Sequence, residues 1–220
     1  MSVEAAKPDL TFVNLVHQSL RTDGARLLGS VAALGPDQRR SRLPAIRAFF
    51  DQYRGQLLLH HSHEDELFYP ALEARVGADR MRLGELAHQH EALDAALQAV
   101  SDSLASLAGP ASDFPPARTT ACAALSEMER SLATHLDLEE ATVLPLLGSE
   151  MPAVEYKRLE TLARHATPRA QAQFLVPWLA AHATPDQRKA LFRSAPPLRL
   201  VNLVAGPRYR RLDNALVPAA

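Results

Sequence analysis

The sequence predicts an all-α protein: an antiparallel, up-down four-helix bundle followed by a C-terminal helical extension. Three observations lead there. Alanine and leucine dominate while aromatic residues make up 5%, a bias toward helix formers and away from strands. Four segments carry apolar stripes at alternating steps of three and four, the spacing that keeps one seam of a helix facing its partners. Gly-Pro pairs and short polar stretches separate the segments, so consecutive helices should run antiparallel.

The first stripe is Leu10, Val13, His17, Leu20, Gly24, Leu27, Val31 and Leu34, stopped by Gly35-Pro36. The second is Ile46, Phe50, Tyr53, Leu57, His60, Glu64 and Leu67, with Pro44 near its start. It should kink or stop near Pro70, because proline lacks the N–H of the helical ladder and clashes with the preceding turn. The third is Leu83, Leu86, His90, Leu93, Leu97, Val100, Leu104 and Leu107, stopped by Gly109-Pro110. The fourth is Ala121, Leu125, Met128, Leu132, His135, Glu139, Thr142 and Leu146, with Pro145 near its end.

Polar residues interrupt these stripes at matching places. His60 and Glu64 recur as His135 and Glu139, each pair followed by a proline, in "HHSHEDELFYP" and "HLDLEEATVLP". His17 and His90 break the other two stripes. A lone inward histidine reads as a hydrogen-bonded core residue. Four histidines and two carboxylates aimed at one interior read as a metal site, because buried imidazole and carboxylate are costly unless paired or coordinated. His and Glu at i and i+4 share a face one turn apart. Six donors exceed what one zinc takes and suit two ions with both carboxylates bridging. On a helix of 3.6 residues per turn, His61 lies about 100° off the seam and His63 about 60° to its other side. Those two, together with His88, are expected outside the site. A Glu-x-x-His spacing occurs at Glu85 and His88, off the third stripe. Imidazole and carboxylate do not by themselves choose among iron, zinc and manganese.

The four motifs together, "NLVHQSL", "LHHSHEDELFYPAL", "LAHQHEALDAAL" and "HLDLEEATVLPLL", resemble the hemerythrin-like, His-His-Glu cation-binding family across roughly residues 8–148. The resemblance implies a bundle holding a non-haem di-iron centre, two iron ions with oxo or hydroxo bridging. Its ligands would be His17, His60, Glu64, His90, His135 and Glu139, and its partners oxygen, peroxide or nitric oxide. The sequence departs from the oxygen-carrying members. Where they have a second histidine four residues on in the third helix, this chain has Asp94, and the fourth helix supplies Glu139 four residues after His135. Fewer imidazoles favour redox chemistry of a catalase or peroxidase kind over reversible carriage. The alternative expectation is an oxygen- or iron-sensing module without turnover.

The bundle is assigned to residues 1–150 and a basic extension to 151–220. Lys/Arg and Asp/Glu balance to −8 in the first part and +7 in the second, which suggests that the extension docks on the body rather than binding nucleic acid. Trp178 and its leucine-rich neighbours support docking. Two or three short helices are expected here. One starts in "ATPDQRKALF", where Thr184, Pro185 and Gln187 form a capping-box signature; another runs through "RAQAQFLVPWLAAH", and "AGPRYRRLDNALVPAA" reads as irregular. The single Cys122, the lack of a secretory pattern in "MSVEAAKPDLTF" and the lack of a membrane-length apolar run point to a cytoplasmic protein.

Overall fold

A computed structural model describes residues 6–216. Residues 1–5 and 217–220 lie outside the described residues, and with them the start of the segment read for a secretory signal and the end of the segment read as irregular. The described chain is all-helical, with no strand among the described residues. Ten α-helices follow in order: α1 Thr11–Ala32, α2 Arg39–His63, α3 Tyr69–Val76, α4 Ala78–Met81, α5 Leu83–Ser106, α6 Phe114–Glu150, α7 Ala153–Ala166, α8 Arg169–His182, α9 Pro185–Ser194 and α10 Pro197–Asp213.

Four long helices close a ring: α1 packs on α2 and α6, and α5 packs on the same two. Their stripes supply a core that includes Leu20, Leu27, Phe50, Leu97, Leu125 and Leu132, all buried. At one end of the ring Arg118 donates to the Leu34 carbonyl at 3.0 Å and Arg39 donates to the Gly109 carbonyl at 2.5 Å. The start of α6 is thereby tied to the end of α1, and the start of α2 to the loop after α5.

Pro70 does not end the second helix. Residues Glu64–Phe68 form a π turn between α2 and α3, and the helical path continues to Val76. Tyr69 N–H reaches the Glu64 carbonyl, five residues back instead of four. The wider turn accommodates the missing proline donor while keeping the axis going, at the cost of one extra residue in the turn. The path ends at Gly77, whose φ of +79° is one that side-chain-bearing residues avoid.

Among its described residues the extension forms four α-helices, not the two or three expected. The segment from Ala205 to Asp213 is helical as part of α10, correcting its reading as irregular. The capping box is present: Thr184 Oγ1 accepts from Gln187 N–H at 3.3 Å, and Gln187 Oε1 accepts from Thr184 N–H at 2.9 Å. Pro177 lies inside α8. Helix α8 packs on α1, α2 and α10. Trp178 is fully buried, and Phe174 packs against Phe49, Trp178 and Tyr209.

A buried carboxylate anchors this docking. Asp23, on α1 and 0% exposed, accepts from Trp178 Nε1 at 2.6 Å and pairs with His182 Nε2 at 2.9 Å through one oxygen. Its other oxygen accepts from Arg26 at 2.6 Å. Arg26 also reaches Asp213 at 2.7 Å. Two helices of the extension are therefore bound to α1 through one ionic cluster.

Candidate metal centre

Every stripe-breaking residue lies in the same region of the ring. His17 comes from α1, His60 from the last turn of α2, Glu64 from the π turn, His90 from α5, and His135 and Glu139 from α6. Their donor atoms fall into two groups, each with all atoms within 4.8 Å of one another. One group is His17, His60, Glu64 and Glu139; the other is His61, Glu64, His90 and His135.

Glu64 belongs to both groups. Its Oε1 lies 3.0 Å from His60 Nε2 and its Oε2 lies 3.6 Å from His90 Nε2, so the two oxygens of one carboxylate face the two halves. Glu139 belongs to the first group only, with Oε2 3.2 Å from His17 Nε2 and 4.0 Å from His60 Nε2.

His61 corrects the expectation. It is 4% exposed, and its ring stacks on that of His90 with centroids 4.0 Å apart. A seam is a line, and a residue about 100° away from a line faces elsewhere. A centre with two halves has width, so adjacent residues on one helix can each face one half. His61 thereby places a third imidazole beside His90 and His135 in the second group. Asp94 and His88 are exposed. His63 is half-buried and outside both groups. The sequence did carry a signal for His61: the doubled histidine at 60–61, set beside a donor set one imidazole short of the oxygen-carrying pattern.

Two carboxylates missed as participants orient the rings. His17 Nδ1 donates to Glu140 Oε1 at 3.0 Å, and Arg21 braces Glu140 at 3.3 Å. His90 Nδ1 donates to Asp65 Oδ2 at 3.1 Å. In both rings Nδ1 meets a carboxylate and Nε2 faces the centre, the arrangement by which carboxylates fix metal-binding imidazoles.

The donor atoms themselves are orphans. His17 Nε2, His60 Nε2, both nitrogens of His61 and His135, His90 Nε2, both oxygens of Glu64 and Glu139 Oε2 are buried without a hydrogen-bond partner. Buried polar atoms without partners are rare, and so many in one place fit a site that a cation would satisfy. The spacing fits as well: two donors held about 2.1 Å from one ion at right angles lie about 3 Å apart.

The electrostatics agree. Burial, joined by the neighbouring imidazoles, pushes the His60 pKa down to about 3 and the His135 pKa down to about 4. Burial and the His90 ring depress His61 as well. These rings stay neutral and keep lone pairs for coordination. Burial also works against charge on His17, but Glu139 and Glu140 outweigh it and raise its pKa to about 9. Burial and the Glu139 charge hold Glu64 well above the usual carboxylate range. Burial would raise Glu139 too, but His17 brings it below the ordinary value. Glu139 is thus paired with a cationic His17 while Glu64 is pushed toward its neutral form, and both carboxylates ionise together only where further positive charge is supplied.

An all-helical ring with an inward cluster of histidines and glutamates defines a class of metal-binding helical proteins. The sequence matches the hemerythrin HHE cation binding domain over residues 9–147, and the chain belongs to that family. Neither the curated proteins nor the solved structures give a match.

The role of His61 can be tested by substitution. His61→Ala is expected to lower metal content by about half, because the cluster's second half loses one of its three imidazoles. Asp94→Ala should leave metal content unchanged. Elemental analysis of both variants beside the parent checks this, and equal metal in the His61 variant would place that ring outside the centre.

Proposed function

We propose that this chain is a non-haem di-iron protein whose residues 1–150 form an antiparallel up-down four-helix bundle, with residues 151–220 docked on it as a basic extension. The observation that carries the reading is the Glu64 carboxylate, whose two orphaned oxygens face separate sets of orphaned imidazoles. The proposed ligands are His17, His60, Glu64 and Glu139 for one ion and His61, Glu64, His90 and His135 for the other. Family membership favours iron. A bound pair of irons supplies one- and two-electron chemistry toward oxygen, peroxide or nitric oxide. Processing of these molecules is favoured over reversible carriage.

The protein's own residues have definite tasks in this reading. Glu140 and Asp65 hold His17 and His90 with Nε2 inward. Burial keeps His60, His61 and His135 neutral, so that they donate without first losing a proton. Tyr69, with its hydroxyl buried and unpartnered and its ring 6.2 Å from His90, stays protonated because burial and Glu64 raise its pKa. That phenol can donate a hydrogen bond to a small molecule held beside the centre. No helix among the described residues is long and apolar enough to cross a membrane; a cytoplasmic site of action is part of the proposal.

The test is metal analysis and absorption spectroscopy of protein purified aerobically, followed by peroxide addition. About two irons per chain and an oxidised chromophore that changes on peroxide addition are expected. Protein that binds zinc alone, or no metal after iron reconstitution, would remove the redox reading.

A further inference from the structure

Beside the centre lies a cavity of about 380 Å³ that reaches from the bundle to helices α7, α8 and α9. Its size is that of a small-molecule site. His60, Glu64 and Glu139 line its inner end. The walls are aliphatic and aromatic, with Leu15 and Val16 on α1, Leu59 on α2 and Leu175 and Leu179 on α8. Oxygen, peroxide and nitric oxide need no chamber of this size. Protein interiors are otherwise close-packed, and an empty apolar space of these dimensions weakens a fold. Much of this space exists because of the extension, whose helices form its outer wall.

The exposed members of the lining mark the mouth. They include Lys7, Asp9, Phe12, Lys157 and Arg164. Asp9 is engaged by the N–H of Thr11 at 3.0 Å. Glu160, also in the lining, is partly buried. Three cations thus stand against two carboxylates, with an apolar wall behind them.

We infer that the cavity binds an elongated apolar organic acid, its carboxylate at Lys7, Lys157 and Arg164 and its hydrocarbon body directed toward the His60–Glu64–Glu139 end. The inference deepens the metal-centre reading and rests on it for what lies at the inner end. A protein so built brings an organic molecule, rather than only a diatomic gas or peroxide, to the metal centre. The extension then serves as the wall that selects this molecule.

Trp178 is the only tryptophan, is fully buried and lines the cavity, so its fluorescence reports occupancy without any turnover. The full-length chain, metal-free and iron-loaded, is titrated with dodecanoate and with dodecan-1-ol. Saturable quenching or a spectral shift with dodecanoate is expected in both forms, with the alcohol weaker. Ala172→Phe, which fills the cavity from α8, should weaken dodecanoate binding by about tenfold or more, the scale of a misfitted group in an apolar pocket. Lys157→Ala, at the exposed mouth, should weaken the acid and leave the alcohol unchanged, and it provides a variant with no buried change. Absence of saturable binding would overturn the inference, as would binding indifferent to Ala172→Phe in a protein shown folded by circular dichroism. Equal affinity for acid and alcohol would overturn the carboxylate's place. Iron content is measured in the same samples. Dodecanoate binding without iron uptake would sink the metal reading and keep the chamber, whereas iron uptake without dodecanoate binding would do the reverse.

Discussion

Glu64→Gln is expected to lose iron from both halves of the centre and yet to leave the metal-free protein at least as stable as the parent. The two effects have one cause. Glu64 is buried, its oxygens lack hydrogen bonds, and burial beside Glu139 raises its pKa. In the metal-free protein that carboxyl must either take up a proton or stand charged beside Glu139, and a neutral amide of the same shape avoids both costs. With metal, the same oxygens are the donors shared by both groups. Loss of a mere orienting partner lowers metal affinity by about 10- to 100-fold, so loss of a shared anionic donor should exceed that. Iron per chain and the thermal midpoint of metal-free protein are the measurements. Full iron retention would show that Glu64 is not shared, and a large drop in the metal-free midpoint would show that it acts as a structural residue.

Asp23→Ala is expected to destabilise the whole chain by about 3 kcal/mol or more, because breaking a buried charge cluster by removing one partner strands the others. Trp178 Nε1 and His182 lose their acceptor, and Arg26 keeps only Asp213. Detachment of α8 should accompany the loss, so Trp178 emission should shift to the red before the four-helix ring unfolds. The parent has a corresponding acid sensitivity. Burial opposes ionisation of Asp23, but His182, Arg26 and Trp178 outweigh it and hold its pKa below the ordinary value. A carboxylate depressed in the folded state contributes stability that is complete above its unfolded pKa and is lost as pH falls through the folded one. Denaturant titrations between about pH 5 and pH 2, running from above the ordinary Asp value to below it, should show the parent losing more stability than Asp23→Asn. Equal slopes would assign acid sensitivity elsewhere.

Much of the interior could be read in the sequence because helical periodicity is rigid. His17, His60, Glu64, His90, His135 and Glu139 occupy stripe positions, and packing the stripes together brings them to one place. His61 escaped that logic because a heptad reading gives each helix one inward line, whereas a two-part cluster presents a breadth that two adjacent side chains can share. Asp65 and Glu140 escaped because orienting groups stand at the rim, where their sequence positions look like ordinary solvated carboxylates. Pro70 was visible as a disturbance, but whether a proline ends a helix or is absorbed by a wider turn depends on neighbours that secure the chain on both sides. The cavity was not legible in local patterns: residues from the bundle and from α7, α8 and α9 line it together, and no short stretch of sequence encodes how such distant segments meet.

The turn at Glu64–Phe68 divides one continuous rod into two parts that need not obey the same rotational phase. An extra residue in a turn advances everything beyond it by about 100°. Upstream, the phase is dictated by His60, His61 and Glu64. Downstream, Tyr69 and Leu72 are free to satisfy a different neighbour, the cluster formed with Leu86, Val143 and Leu147. A sequence drifting under mutation can therefore reshape residues 70–76 without turning His60, His61 and Glu64 away from the cluster they share. Deleting one residue from the turn would forfeit that independence and force both parts onto a single phase, so that one of them must face the wrong way.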